Sequence, residues 1–457
     1  MACLEAAIYT LAWAAGWRLY CKHCGHTKRF PWRQAISGGF LLGWLLMLLA
    51  ATLLLRFSGG PANFHLFQGW REAWNLFTLQ NWLNVLLNVA LFLPLGILLP
   101  LVFRRFRRPD WTLLAGVGLS LAIESAQLFT DRGAFDVDDI LNNSLGAILG
   151  WCLLMVVFTL LAKLRNWPRR TLAYGAFPLL CILVFGGVIG TYYGQDYGNL
   201  ACAPTHRVMT RGVTVSLQCE LPDLGSAAPV YYAAPYDRAS SDAYADSLLE
   251  ALGERDMNVH TRETIHYDTQ AAYLQHATGS SLWVYYLDRT FSYSYHNSMD
   301  NNEPEVTPTD RETLERLLGA FSLEIPQGAE MTVIGNGTYQ FTVDQYQDAD
   351  YFYDGSVTCT YRSDGRLWRV ENNLIQGTFQ GQESIISPAE AVMQLENGHF
   401  LGEYTEHLIK DTGVNTITID SISLTYQVDS KGYYQPVYLI GLYAGGNYDQ
   451  ILIPALA

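Results

Sequence analysis

Lysine is nearly missing from the second half of this 457-residue chain: residues 196–457 contain two, Lys410 and Lys431. That half carries 13 Lys and Arg against 35 Asp and Glu, whereas residues 1–195 carry 16 against 8. A surface this acidic repels nucleic-acid phosphates and anionic headgroups, so no nucleic-acid partner is expected from bulk charge. Cysteine is too sparse for a disulfide framework. Three of the eight, Cys202, Cys219 and Cys359, fall in the acidic half. Bridging Cys202 to Cys219 would close a short loop and leave Cys359 odd. Histidine is absent between Leu83 and Gly150, and Ser125 and Ser144 there have no evident base, which argues against Ser–His catalysis. The first apolar run has no small-residue cleavage site, and its Arg18 follows the run, unlike in a signal peptide.

Long apolar runs dominate the first half. They predict six membrane spans: residues 1–20, a run from near Ser37 to Arg56, Leu83–Phe103, Trp111–Phe129, Val137–Leu164 and Thr171–Tyr193. Each is near the roughly 20 residues needed to cross a bilayer. Most of the Lys and Arg of this half lies in 21–35, 104–109 and 163–170. The positive-inside rule makes these loops cytoplasmic. The N-terminus and everything after Tyr193 then face outward, as does the loop Asp131–Asp139.

Polar groups interrupt three of these spans. Asn84 and Asn88 share a helix face, as do Glu124 and Gln127, and Asp139 and Asn143. A carboxylate at the centre of a span costs about 3 kcal/mol, so such groups are functional candidates by default. Facing stripes would form one pocket near the outer surface, with Arg132, Asp136 and Asp138 at its rim. Two readings stay open. The groups can bind a ligand, or they can bond to each other and lock three helices together. For catalysis, Glu124 and Asp139 are the candidate acid–base pair. A divalent cation on Glu124, Asp136 and Asp139 is a further option.

The residues Asn88-Val89-Ala90-Leu91-Phe92-Leu93-Pro94-Leu95-Gly96, Glu124-Ser125-Ala126-Gln127, Arg132, Phe135-Asp136-Val137-Asp138-Asp139, Asn143-Ser144-Leu145-Gly146 and Gly150 resemble the VanZ family of membrane proteins in order and spacing. The resemblance covers roughly residues 37–165. It implies a multi-pass plasma-membrane protein of a Gram-positive-like bacterium, linked to resistance against glycopeptides of the teicoplanin type. The leading expectation is a non-enzymatic envelope protein in the lipid bilayer that binds a cell-wall precursor, lipid or glycopeptide at the outer leaflet. The rivals are an enzyme on a lipid-linked substrate and a sensor with an extracytoplasmic detecting domain.

Cys21-Lys22-His23-Cys24-Gly25-His26 resembles half of a zinc knuckle, with Cys21, Cys24 and His26 as candidate ligands. A closed structural site needs four, and no second knuckle follows. No other cofactor is expected.

The acidic half reads as an extracytoplasmic α+β region with antiparallel sheets, after an α-helical polytopic membrane domain at 1–195. Thr-, Val- and Tyr-rich runs predict strands at Val213–Gln218, Ser281–Leu287, Met331–Ile334, Tyr339–Val343, Ser356–Arg362, Leu367–Asn372, Thr416–Gln427 and Val437–Leu442. Helices are predicted at Ser241–Gly253, Thr309–Phe321 and Ser387–Asn397, the last two behind Thr-x-x-Glu and Ser-x-x-Glu capping boxes. A break near Thr307–Pro308 suggests two modules, 205–307 and 308–457. The C-terminal helix-then-hairpin pattern resembles extracytoplasmic modules of PepSY and YycI type. Tyrosine pairs such as Tyr231-Tyr232 and Tyr433-Tyr434 suit either a binding surface or cross-strand packing.

Overall fold

The computed structural model describes residues 13–16, 22, 31–55, 60–162, 166–253, 262–276, 278–295, 305–348 and 351–457. The chain divides into two units, residues 1–73 with 80–196 and residues 74–79 with 197–457.

The first unit is helical. Five helices are long and apolar enough to cross a membrane: Trp32–Leu54, Leu79–Val102, Pro109–Thr130, Val137–Ala162 and Trp167–Gly194. We name their helical parts α1 (Trp32–Leu49, extended by a wider π turn over Ala50–Leu54), α3, α4, α5 and α6. Of the expected span at 1–20 residues 13–16 are described, as helix, and the knuckle residues Cys21, His23, Cys24 and His26 lie outside the described residues. Leu41, Trp44, Leu48, Phe92, Leu95, Ile123 and Ala147 form the buried centre of the bundle. Lipid-facing positions such as Leu87, Leu114 and Leu161 stay exposed.

Glycines let α3 and α5 approach backbone to backbone. A Cβ at Gly146 would collide with the Val89 carbonyl, one at Gly150 with the Leu93 carbonyl, and one at Gly96 with the Ala147 carbonyl. Small residues at helix crossings serve this close packing in membranes. The stretch 60–76, which has no span-like pattern, contains a short amphipathic helix α2 (Gln68–Leu76).

The second unit holds thirteen strands in one branched sheet. Its centre is built from two copies of one pattern, a helix followed by a four-stranded antiparallel meander. The first is α7 (Arg238–Ala251) with β3 (Arg262–His266), β4 (Gln270–Gln275), β5 (Ser280–Tyr285) and β6 (Phe291–Ser294). The second is α8 (Arg311–Gly319) with β7 (Glu330–Gly335), β8 (Thr338–Gln347), β9 (Phe352–Tyr361) and β10 (Leu367–Ser384). The last strands of the copies pair with each other, antiparallel, Val370 opposite Tyr293. This gives the symmetric order β3-β4-β5-β6-β10-β9-β8-β7. Ala245 and Leu248 of α7 and Leu314 and Leu318 of α8 pack into one core with both meanders.

The copies share a turn. Between β5 and β6, Asp288 Oδ1 accepts the Thr290 amide at 3.0 Å. Between β9 and β10, Asp364 Oδ1 accepts the Arg366 amide at 3.1 Å. The residue in between is left-handed in both, Arg289 with φ 60° and Gly365 with φ 79°. Glycine adopts this conformation freely, whereas an L side chain there costs about 1–2 kcal/mol.

The remaining strands, β1 (Thr214–Leu217), β2 (Ala227–Tyr232), β11 (Thr416–Val428), β12 (Tyr433–Ala444) and β13 (Asn447–Pro454), continue the sheet beyond β10. They share a second core with α9 (Pro388–Glu396) and α10 (Glu403–Asp411). The break expected at Thr307–Pro308 falls just before α8. Ser387 and Glu390 form the expected capping box, whereas α8 is capped by Asp310 through the Thr313 amide, one residue later than expected.

One sequence expectation changes here. Cys202 and Cys219 are free thiols: Cys202 is buried with Leu200 and Val437, while Cys219 packs against the other core. Burial pushes the Cys202 thiol up to about 12. The tyrosine pairs are mostly packing elements. Tyr231 stacks on Phe352 at 4.1 Å and is buried, as are Tyr293 and Tyr434.

Substituting Gly146 by Ala forces the Val89 backbone away and is expected to destabilise the membrane unit by about 1–3 kcal/mol. Gly118→Ala, with open space around it, is the matched control. The check is the thermal midpoint of each purified variant in detergent; equal midpoints would contradict the close α3–α5 packing.

Candidate functional site

The polar residues of the first unit gather where α4 ends and α5 begins. Thr130 is the last residue of α4, and Asp131 turns the chain in a left-handed conformation. The connector runs to Asp136, whose Oδ1 accepts the Asp138 amide at 2.8 Å and so caps α5. The stretch before α2 lies alongside. Asn63 forms a parallel bridge with Asp136, with Asn63 N to Phe135 O at 2.7 Å and Val137 N to Asn63 O at 3.1 Å. The Asn63 side-chain amide also donates to Asp136 Oδ1 at 3.1 Å. Burial pushes the Asp136 carboxyl upward, against the pull of these donors.

Asp138 organises the approach of α2. Its two oxygens accept the amides of Phe67 at 2.6 Å and Gly69 at 2.8 Å. A carboxylate at a helix start satisfies unpaired N–H groups and meets the positive end of the helix dipole. Asp138 is 2% exposed. One turn on, Asn142 Oδ1 accepts the Trp70 indole at 3.0 Å, a second tie between α2 and α5.

Deeper in the bundle, α4 supplies Ser120, Glu124 and Gln127, one turn apart on one face and all buried. Glu124 Oε2 accepts the Asp136 amide at 2.8 Å. Gln127 donates through Nε2 to the Thr52 carbonyl at 2.9 Å. From α5, Asn143 donates to Ser120 Oγ at 2.9 Å, and the Ser120 hydroxyl reaches the Asp139 carbonyl at 3.5 Å. From α3, the Asn88 amide donates to Asp139 Oδ1. Two acceptors stay unmatched: Gln127 Oε1 and Asn143 Oδ1 are buried with no hydrogen-bond partner among the described residues.

Six of the nine expected ligand-binding residues are tied by hydrogen bonds in two groups, Glu124 with Asp136 and Asp138, and Asn88 with Asp139 and, through Ser120, Asn143, while Gln127 bonds to the Thr52 carbonyl. Asn84 joins neither group. It is exposed and takes a bond from Gln80 at 2.9 Å. Arg132 is exposed and reaches the Leu53 carbonyl at 3.5 Å. Glu124, Asp136 and Asp139 do not bring three ligand atoms to one ion-sized point among the described residues. Sequence reasoning missed Asn63, Trp70, Ser120 and Asn142. Ser120 was accessible to it, since it lies four residues before Glu124 on the same face. Asn63 carried no signal, because its partner is 73 residues away.

Replacing Asp138 by Ala removes the acceptor of two α2 amides. The expected cost is about 1–2 kcal/mol, the range of a lost N-cap. It should appear as a lower thermal midpoint and faster tryptic cleavage after Arg71. Asn84→Ala should stay within about 0.5 kcal/mol of wild type by the same midpoint measurement.

Among solved structures, an uncharacterized protein from Eubacterium rectale is similar at 9% identity over 53% of this chain and 86% of its own, with a TM-score of 0.27. No curated protein matches the chain. Residues 40–160, which hold α3, α4, nearly all of α5 and the whole polar network, match the VanZ/LLP1 family, and this part of the chain is a VanZ-like membrane region.

Proposed function

We propose that the first unit is a non-enzymatic binding protein of the bacterial cell envelope. It takes the polar head of an amphiphile from the outer leaflet, a cell-wall precursor, lipid or glycopeptide, and thereby contributes to glycopeptide resistance. The observation that carries this reading is the pair of unmatched acceptors, Gln127 Oε1 and Asn143 Oδ1, buried in an apolar bundle. A buried polar atom without a partner costs about 1–3 kcal/mol. A ligand that brings hydrogen-bond donors recovers that cost, so the site favours amines, amides and sugar hydroxyls. The basic loops at 104–109 and 163–170 support an orientation with the connector 131–136 and the second unit outside.

The same geometry weighs against the acid–base alternative. Glu124 Oε2, Asp136 Oδ1 and both oxygens of Asp138 accept backbone amides. Such donors tie a carboxylate to the backbone and fix its position, which suits a structural support better than a proton shuttle.

The test is teicoplanin susceptibility of cells expressing wild type, Glu124→Gln, Asp139→Asn, Asn143→Leu, or a stop after Tyr193, at matched membrane levels. Wild type and the truncation should raise the inhibitory concentration, and the three point variants should not. No protection by any form overturns the resistance reading. Protection retained in all three point variants moves the binding site elsewhere.

A further inference from the structure

The second unit has a cavity of about 190 Å³ at the seam between its two helix–meander copies. The first copy and the residues leading into it contribute Tyr236, Arg289 and Phe291, and the second contributes Phe321, Glu324 and Asn372. Sites of this kind favour interfaces between structural units, and drug-sized ones measure roughly 300–1,000 Å³, so this one suits a smaller ligand.

The wall is aromatic. Phe291 and Phe321 lie stacked, with ring centroids 6.1 Å apart and planes 7° apart. The polar groups are unequal in sign and placement. Arg289 occupies the strained left-handed position that the second copy fills with Gly365. The turn does not need an arginine; the other copy makes it without one. The Arg289 guanidinium donates through Nε to the Ala234 carbonyl at 2.5 Å and lies over the Tyr236 ring at 5.2 Å. Its two Nη groups have no acceptor among the described residues. Asn372 is 6% exposed, and its Oδ1 accepts the Leu374 amide at 3.1 Å. Asn372 lines the cavity. Glu324 has no cationic partner among them.

We propose that this cavity binds a free α-amino acid with an apolar or aromatic side chain. The ligand carboxylate pairs with the Arg289 fork and the Asn372 amide, the ammonium group with Glu324, and the side chain packs on Phe291 and Phe321. A cavity with one cation, Arg289, two acids, Asp288 and Glu324, and an apolar wall matches a small zwitterion better than a simple anion. The inference is independent of the reading given for the membrane unit.

The test is calorimetric titration of the full chain in detergent with the twenty amino acids, phenylalaninamide and N-acetylphenylalanine. Phenylalanine or leucine should bind best. Removing the carboxylate or the ammonium group should weaken binding by about tenfold or more. Glu324→Gln should weaken it likewise. Arg289→Gly should keep or raise the thermal midpoint, because glycine suits the turn, and still lose binding by about tenfold or more. No binding of any amino acid at millimolar concentration overturns the proposal, as does unchanged affinity in Arg289→Gly. A lowered midpoint in that variant would make Arg289 a structural residue and overturn it too.

Discussion

A carboxylate can sit in an apolar helix bundle only if donors surround it, and in this protein most of those donors are backbone amides. Asp136 caps the start of α5, Asp138 caps the approach to α2, and Glu124 holds the Asp136 amide from the side of α4. The three acids form a chain of contacts in which each one orders a piece of backbone that positions the next. The connector 131–136 and the stretch 60–69 are irregular, and irregular backbone near membrane depth is tolerated only where protein satisfies its amides and carbonyls. Without these acids neither segment would have a defined place, and the inward-facing groups of α3, α4 and α5 would lose their frame.

Beneath this frame the glycine contacts between α3 and α5 set the distance. Backbones that touch bring Asn88 to Asp139. Polar side chains this short reach across a helix pair only when the pair is close, so packing and polar geometry are one constraint. The groups with surplus hydrogen-bonding capacity, Gln127 and Asn143, lie one turn beyond Glu124 and Asp139 on their helices.

Much of the membrane unit was legible in the sequence. Apolar runs of about 20 residues predicted five described spans closely, from the helix Trp32–Leu54 to the one ending at Gly194. Polar residues at helical spacing picked out most of the network. Asp138 as the cap of α2 was not legible, because its partners Phe67 and Gly69 are about 70 residues away and carry no polar side chain. In the second unit, β10 was read only to Asn372, since Gly377 and Gly381, with Gln376, Gln380 and Gln382 beside them, look like a loop. Pairing with β9 and β6 on one part and β2 on the other overrides that weak propensity. The Ala-rich β4 and the short β6 went unread for the same reason: neighbouring strands, not their own composition, hold them in place.

The length of β10 has a thermodynamic consequence. It runs 18 residues, from the centre of the duplicated meander to the β2 edge of the second core. Two hydrophobic cores that share one continuous strand cannot melt one after the other without tearing that strand's ladder midway. The second unit should therefore behave as one cooperative foldon despite its two cores, with amide exchange in its two halves reporting a common opening free energy.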